Sequence, residues 1–500
     1  MVFPSPACLT CKTRRVKCDT ARPACDRCQK AGRVCSYGAS EQYGLPFRNE
    51  NDFAKGKRRR PRKNPVNTND QNLIVIPRSP SSVPPLVAGT IEHVALQYWT
   101  DHFAAWPTDL FEFGHEYGSY ALCYWNCVDS GSSLYSALSA FSLALFGQAK
   151  HSNEALDHAD KFYGKSIIKT QQEIKKLSSD NIDQLLVAIS LMAIYENLTS
   201  SSGNQHPPSS HFDNLPSYGP AKIASHLEGM AALLLTRKEH AYPRNLPLEQ
   251  ATRRTILRTS ILRGRDIPDW LQDGTLYGEQ GINLGLDALM VSTATLQSKA
   301  SRLLKETNVI ATKALHDLIK ETRKLDSAFE NWSLSVPVQW GFTTLTLKNL
   351  SDPRSRLLYE ETFHNYQSSG HATLWNRYRA TRVAVNHIWQ QALGHLPSRS
   401  MTDYGSDICQ KNLDSLATDL CHSIPFFFNS FQIEDIKVSE PSASVNFVDC
   451  EPYEITPMMS TVITWPLAVV IKAAGISKAH RIFLEDKLKI IAEVIGLRVQ

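Results

Sequence analysis

Six cysteines stand within the first 35 residues of this chain, at Cys8, Cys11, Cys18, Cys25, Cys28 and Cys35. They form a C-x2-C-x6-C unit written twice, at an offset of 17 residues. Cysteines this dense serve a cross-link, a metal or a redox reaction. The opening MVFPSPACLT shows no charged-then-apolar leader, so an intracellular, reducing setting is expected. There, soft thiolates two residues apart suit a tetrahedral metal better than disulfides. The odd total of 11 cysteines also argues against complete pairing. Six thiolates exceed one tetrahedron and fall short of two, so the economical arrangement is two Zn²⁺ ions sharing two bridging sulfurs. The symmetry of the repeat selects the first cysteine of each half, Cys8 and Cys25, as the bridges. Between them and Cys35 lie few apolar side chains besides Leu9, Val16 and Val34, far too few for a core. Metal must therefore supply the folding free energy, on the order of 10–16 kcal/mol in zinc-finger peptides.

The two halves differ in charge. Between Cys11 and Cys18 stand Lys12, Arg14, Arg15 and Lys17 with no acid among them, whereas the second half mixes Asp26 with Arg27, Lys30 and Arg33. The first half is therefore expected to face a polyanion. Charge along the whole chain agrees: 16 Lys and Arg stand against 5 Asp and Glu through Lys63, and 38 against 44 thereafter. A basic head on a mildly acidic body suits nucleic acid at the head.

On these six cysteines and the basic stretch after the second of them, the segment resembles the fungal Zn2Cys6 binuclear cluster transcription factors. That resemblance implies a short helix opened by each C-x2-C and two bound zinc ions. It also implies that the end of the first helix enters the major groove of double-stranded DNA over a CGG-like triplet. The position that reads guanine in the family is Arg15 here, and arginine can pair bidentately with O6 and N7. Lys12, Arg14 and Lys17 would then position the module on phosphates. Gly32 is expected to end the second helix.

Residues 1–38 are thus expected to form a DNA-binding module and residues 39–89 a flexible linker rich in Pro, Asn, Ser and Gly. Within the linker, KGKRRRPRK supplies Lys55, Lys57, Arg58, Arg59, Arg60, Arg62 and Lys63, a candidate nuclear-import signal or supplementary phosphate grip. No heptad series follows the cysteines, so monomeric binding and a homodimer made through the body both stay open.

The elements that must carry this head read as an all-α body over residues 90–500. Apolar residues recur at helical spacing over 133–146, 153–177, 182–198, 220–235, 248–262, 287–325, 370–393, 407–423, 458–474 and 478–496. A polar insertion covers 199–219, and GFTTLTL at 341–347 is the best strand signal. The acid-and-apolar stretch 431–454 reads as a surface loop or an activation segment. The body is similar to the fungal-specific transcription factor domain through ALQYWTDHFAAWPTDLF, HLEGMAALLLTR and TWPLAVVIKAAG. In that family the region is regulatory, with a small-molecule effector in some members.

Enzyme signatures are lacking: there is no DDxxD, Walker A or G-x-S-x-G. Glu361-x-x-His364 is half of a di-iron signature without a second copy and reads as a surface pair. His226-x-Glu228 lacks the downstream P-C-x-x-C of zinc deaminases. Cys123, Cys127, Cys409, Cys421 and Cys450 read as ordinary thiols, and Trp99, Trp375 and Trp389 as core. Apolar runs fall short of the about 18–20 residues that a membrane span needs. The expectation is a nuclear, mostly α, sequence-specific DNA-binding regulator of RNA polymerase II transcription and not an enzyme. The alternative is a helical interaction or ligand-sensing protein whose zinc cluster has lost sequence recognition.

Overall fold

The computed structural model describes residues 8–14, 16–21, 24–33, 35, 89–103, 120–121, 124, 128–199, 221–304, 312–346, 356–396, 405–428 and 457–495. The linker with its basic run, most of the 199–219 insertion, the 431–454 stretch and Arg15, Cys123, Cys127 and Cys450 lie outside them. The chain divides into two compact units, residues 1–76 and 77–500.

In the first unit, two short helices follow cysteines: α1 (Leu9–Arg14) after Cys8 and α2 (Asp26–Lys30) after Cys25. Gly32, at φ +58°, takes the left-handed turn that ends α2.

The second unit is helical. It runs α3 (Ile91–Phe103), α4 (Ser133–Ala149), α5 (Asn153–Ile174), α6 (Ile182–Thr199), α7 (Ala221–Glu239), α8 (Leu246–Arg263), α9 (Asp269–Gln272), α10 (Gly281–Leu303) and α11 (Thr312–Ser335). Two strands follow, β1 (Phe342–Thr346) and β2 (Thr362–Tyr366), then α12 (Ser369–Gly394), α13 (Ser406–Phe427), α14 (Pro457–Lys472) and α15 (Lys478–Ile495). Side-chain caps start several helices where the sequence supplies them. Ser132 Oγ accepts the Tyr135 N–H at 3.1 Å, and Ser368 Oγ accepts the His371 N–H at 3.2 Å.

Two helices that are buried on most sides become central. Helix α4 is buried along almost its whole length between α3, α5 and α6, and α12 lies against α10, α11, α13 and α14. Gly147 lets α4 and α5 approach closely, since a Cβ there would sit 2.9 Å from Leu156. One contiguous core reaches from Leu96 to Ala492, and Trp99 and Trp389 belong to it while Trp375 packs at its edge.

Paired charges pin helix to helix. Arg253 of α8 forks onto Asp287 of α10 at 2.6 and 2.8 Å. Asp326 of α11 accepts from Arg382 and Asn386 of α12 and from Asn412 of α13.

Two expectations change, and a second strand joins the expected one. The continuous pattern over 287–325 is two helices, α10 and α11, packed against one another, because periodicity alone does not separate one long helix from two whose faces pair. Strand β1 pairs antiparallel with β2, Phe342 opposite Tyr366 and Thr346 opposite Thr362. The polar composition of β2, TFHNY, hid it. Glu361 and His364 are no surface pair either: Glu361 is exposed, whereas His364 is 1% exposed inside β2. Just before β2, Tyr359 and Thr362 bridge across Glu360 and Glu361, which both stand at positive φ, +50° and +55°.

Candidate metal centre and nucleic-acid interface

Among the described residues of the first unit, cysteines fill the middle. Cys8, Cys11, Cys25 and Cys28 are buried, with Val16, Cys18 and Cys35 packed around them. The sequence repeat reappears as a repeated hydrogen-bond pattern. The Cys8 N–H faces Cys18 Sγ at 3.5 Å, and the Cys25 N–H faces Cys35 Sγ at 3.2 Å. Likewise the Val16 N–H donates to Cys11 O and the Arg33 N–H to Cys28 O. Each half therefore folds its third cysteine back onto its first.

The sulfurs draw together between the halves. Cys8 Sγ lies 3.7 Å from both Cys25 Sγ and Cys28 Sγ, and Cys11 Sγ lies 3.7 Å from Cys25 Sγ. A zinc tetrahedron with Zn–S bonds of about 2.3 Å has sulfur–sulfur edges of about 3.8 Å, so these spacings fit the metal. Two sets of four emerge, each with all its sulfurs within 4.8 Å: Cys8, Cys11, Cys18 and Cys25, and Cys8, Cys25, Cys28 and Cys35. Cys8 and Cys25 belong to both.

Crowding sorts the thiols. Burial and adjoining sulfurs push Cys11 up, and Cys28 up to about 12. Burial acts on Cys8 and Cys25 in the same sense, yet the hydrogen bonds from the Cys11 and Cys28 backbone N–H groups and from adjoining thiols together outweigh it and hold both below the ordinary thiol range. The two shared cysteines are thus the ones poised for the thiolate form.

Of the basic residues, Arg14 and Lys17 are exposed and Lys12 lies on α1. Arg15 falls outside the described residues, as do Lys55, Lys57, Arg58, Arg59, Arg60, Arg62 and Lys63. Between the halves, Asp19 accepts the Asp26 N–H at 3.1 Å, and that bond holds its carboxyl below the usual range. Asp26 in turn stands 3.7 Å from Lys30 across an exposed turn.

In the helical body, the His226 and Glu228 pair weighed as an enzyme fragment separates: His226 meets Glu196 at 3.3 Å, whereas Glu228 meets Arg265 at 2.9 Å. Cys409 and Cys421 are buried, and burial raises both thiols. No helix among the described residues is long and apolar enough to cross a membrane.

Residues 6–43 match the fungal Zn(2)-Cys(6) binuclear cluster domain. The chain is 64% identical over 31 residues to the C6 finger domain transcription factor hasF of Aspergillus fumigatus, which is 6% of this chain and 4% of that protein. It is 45% identical over 56 residues to the sorbicillinoid biosynthetic cluster transcription factor sor3 of Hypocrea jecorina, 11% of this chain and 8% of the relative. It is 64% identical over 28 residues to the aspercryptin biosynthesis cluster-specific transcription regulator atnN of Emericella nidulans, 6% and 5%. The similarity thus spans less than a tenth of each of these relatives. No solved structure matches the chain. Doubled cysteine spacing, sulfur geometry and family match converge on one statement: the amino-terminal unit carries a fungal Zn(2)-Cys(6) binuclear cluster domain, which binds two zinc ions.

Proposed function

We propose that this chain is a nuclear, sequence-specific DNA-binding regulator of RNA polymerase II transcription that reads CGG-like triplets in the major groove through its zinc cluster. One zinc is held by Cys8, Cys11, Cys18 and Cys25, the other by Cys8, Cys25, Cys28 and Cys35. When bound, the two ions supply the cross-links that a segment without an apolar core cannot provide. Arg15 reads guanine, while Lys12, Arg14 and Lys17 hold the phosphates on either side. Residues 1–38 form the DNA-binding module, residues 39–89 the linker and residues 90–500 the regulatory body. Lys55, Lys57, Arg58, Arg59, Arg60, Arg62 and Lys63 serve nuclear import and add a sequence-independent grip. Binding is either monomeric or through a homodimer of the body.

The observation that carries this reading is the asymmetric surface around a symmetric sulfur core. The half bearing exposed Arg14 and Lys17 has no acid between Cys11 and Cys18, while the other half exposes Asp26 among its basic residues. The transcription regulators that share the segment support it.

Binding of CGG-containing and scrambled duplexes by the wild type and Arg15→Ala, at fixed salt, tests it. The wild type is expected to prefer the CGG duplex, and the variant to lose about 1–3 kcal/mol of that preference. Equal affinities in all four combinations would replace this reading with a helical interaction or ligand-sensing protein. Lys17→Ala should weaken both duplexes alike and reduce the salt slope by about 1.

A further inference from the structure

The buried arginines of the helical body share a pattern from which one departs. Arg237 reaches Glu249 at 3.1 Å, Arg253 reaches Asp287 at 2.6 Å and Arg254 reaches Glu279 at 2.6 Å. Arg379 of α12, 1% exposed, has no carboxylate at hydrogen-bond distance among the described residues. Its Nη1 donates to the Tyr366 hydroxyl at 2.6 Å and to Asn376 Oδ1 at 2.8 Å, and its Nη2 faces His364 Nδ1 at 3.2 Å. Its Nε finds no hydrogen-bond partner. The carboxylate within reach is Asp419 of α13, whose Oδ2 stands 4.0 Å away on a side chain 40% exposed.

The same carboxylate faces a second N–H. A guanidinium only donates, so His364 Nδ1 must accept from it, and the proton of the neutral ring sits on Nε2. Burial and the neighbouring Arg379 keep that ring neutral, with a pKa driven down to about 2. His364 Nε2 lies 4.0 Å from Asp419 Oδ1. One turn along α13, His422 is 8% exposed with an unpartnered Nε2, free to carry its proton there, and its ring centre lies 5.4 Å from that of His364. Phe342 flanks the group, 4.2 Å from the His364 ring centre and 4.8 Å from the Arg379 guanidinium. The donors thus face the two oxygens of a planar carboxylate that stands about 1 Å beyond hydrogen-bond distance.

His364, Asp419 and His422 also lie close enough together to suggest a metal. Ligation through His364 Nε2 would need its lone pair there and would turn an Nδ1–H against the Arg379 donor. The guanidinium charge beside the site opposes a cation further. The chemistry on offer is that of an anion site.

We propose that Arg379, His364 and His422 bind the carboxylate of a small molecule, which takes the place that the half-exposed Asp419 holds beside them. Asp419 is the built-in competitor: it closes on the donors when the ligand is absent and swings towards solvent when the ligand enters. The site lies wholly within the helical body and does not rest on the DNA-binding reading, so failure of either leaves the other standing.

The test is calorimetric titration of the full zinc-loaded chain with benzoate and acetate at constant ionic strength, against phosphate, for the wild type and Asp419→Asn. Asp419 is partly exposed, so the conservative Asp419→Asn exchange is expected to fold as the wild type does. Both carboxylates are expected to bind saturably, and at least about tenfold more tightly to the variant, since the competitor that occupies the site is gone. Adding Arg379→Met, with folding checked by circular dichroism, should abolish binding; should that protein not fold, His422→Ala should weaken binding several-fold in its place. Absence of saturable benzoate binding to Asp419→Asn would overturn the proposal. Equal binding of phosphate would overturn the carboxylate assignment. Uptake of a third zinc that His422→Ala abolishes would give the cluster to a metal instead.

Discussion

At the scale of single residues, position in the sulfur lattice decides what a substitution does. Cys8 lies in both four-sulfur sets, whereas Cys18 lies in one. Cys18→Ser should retain one zinc ion per chain and Cys8→Ser should lose both, as counted by native mass spectrometry of the full chain. Histidines give a second prediction. The folded-state pKa of His364 lies far below its ordinary value near 6.5, so folding favours the neutral ring. Below about pH 6.5 the unfolded chain binds the extra proton, so this stabilisation is complete above that pH and is lost as the pH falls. The slope is about 1.4 kcal/mol per pH unit for that ring. His422 and His480 are lowered by burial in the same sense. Urea midpoints between pH 7 and 5 should fall, and should fall less steeply in His364→Asn. The residue scale is also where sequence reading succeeded and failed most clearly. Six cysteines announce themselves because their spacing is local and doubled. The group around Arg379 does not, because His364 and Asp419 are far apart in sequence and Arg379 is distinguished by the carboxylate it does not touch.

At the scale of elements, most helices of the body were legible because each has one apolar face at regular spacing. Helices α10 and α11 merged in the reading because residues 287–325 keep that spacing throughout. Strand β2 escaped because its burial comes from α12 and α13 and not from its own alternation. What periodicity does not reveal is how helices are registered against each other, and there Asp326 is informative. It is 6% exposed, and it accepts from Arg382 at 2.7 and 3.0 Å, from Asn386 at 2.6 Å and from Asn412 at 3.0 Å, joining three helices. Asp326→Ala would strip the Arg382 guanidinium of its carboxylate and take one acceptor from each of two amides. A loss of about 3–5 kcal/mol is expected from breaking a buried pair of this kind, to be measured by urea unfolding. Asn412→Ala, which removes one donor and leaves the ion pair, should cost about 1 kcal/mol.

At the scale of the whole molecule, the two units hold themselves together by unlike means. Among its described residues the first has sulfur at its centre, while the second has a contiguous apolar interior and needs none of those thiols. Chelation should therefore abolish the dispersed amide signals of residues 8–35 while leaving the thermal transition of the body unchanged. A parallel drop in both would show that the body depends on zinc as well. A different lever lies in the turn at Glu360 and Glu361. Two branched-off acidic side chains sit where asparagine and glycine would rest at ease, with like charges side by side and both backbones in the left-handed region. The tight turn that Tyr359 and Thr362 close is thus held under tension, and an Asn-Gly exchange at Glu360 and Glu361 would relax a sprung clasp, raising the melting temperature without altering a single donor of the Arg379 group.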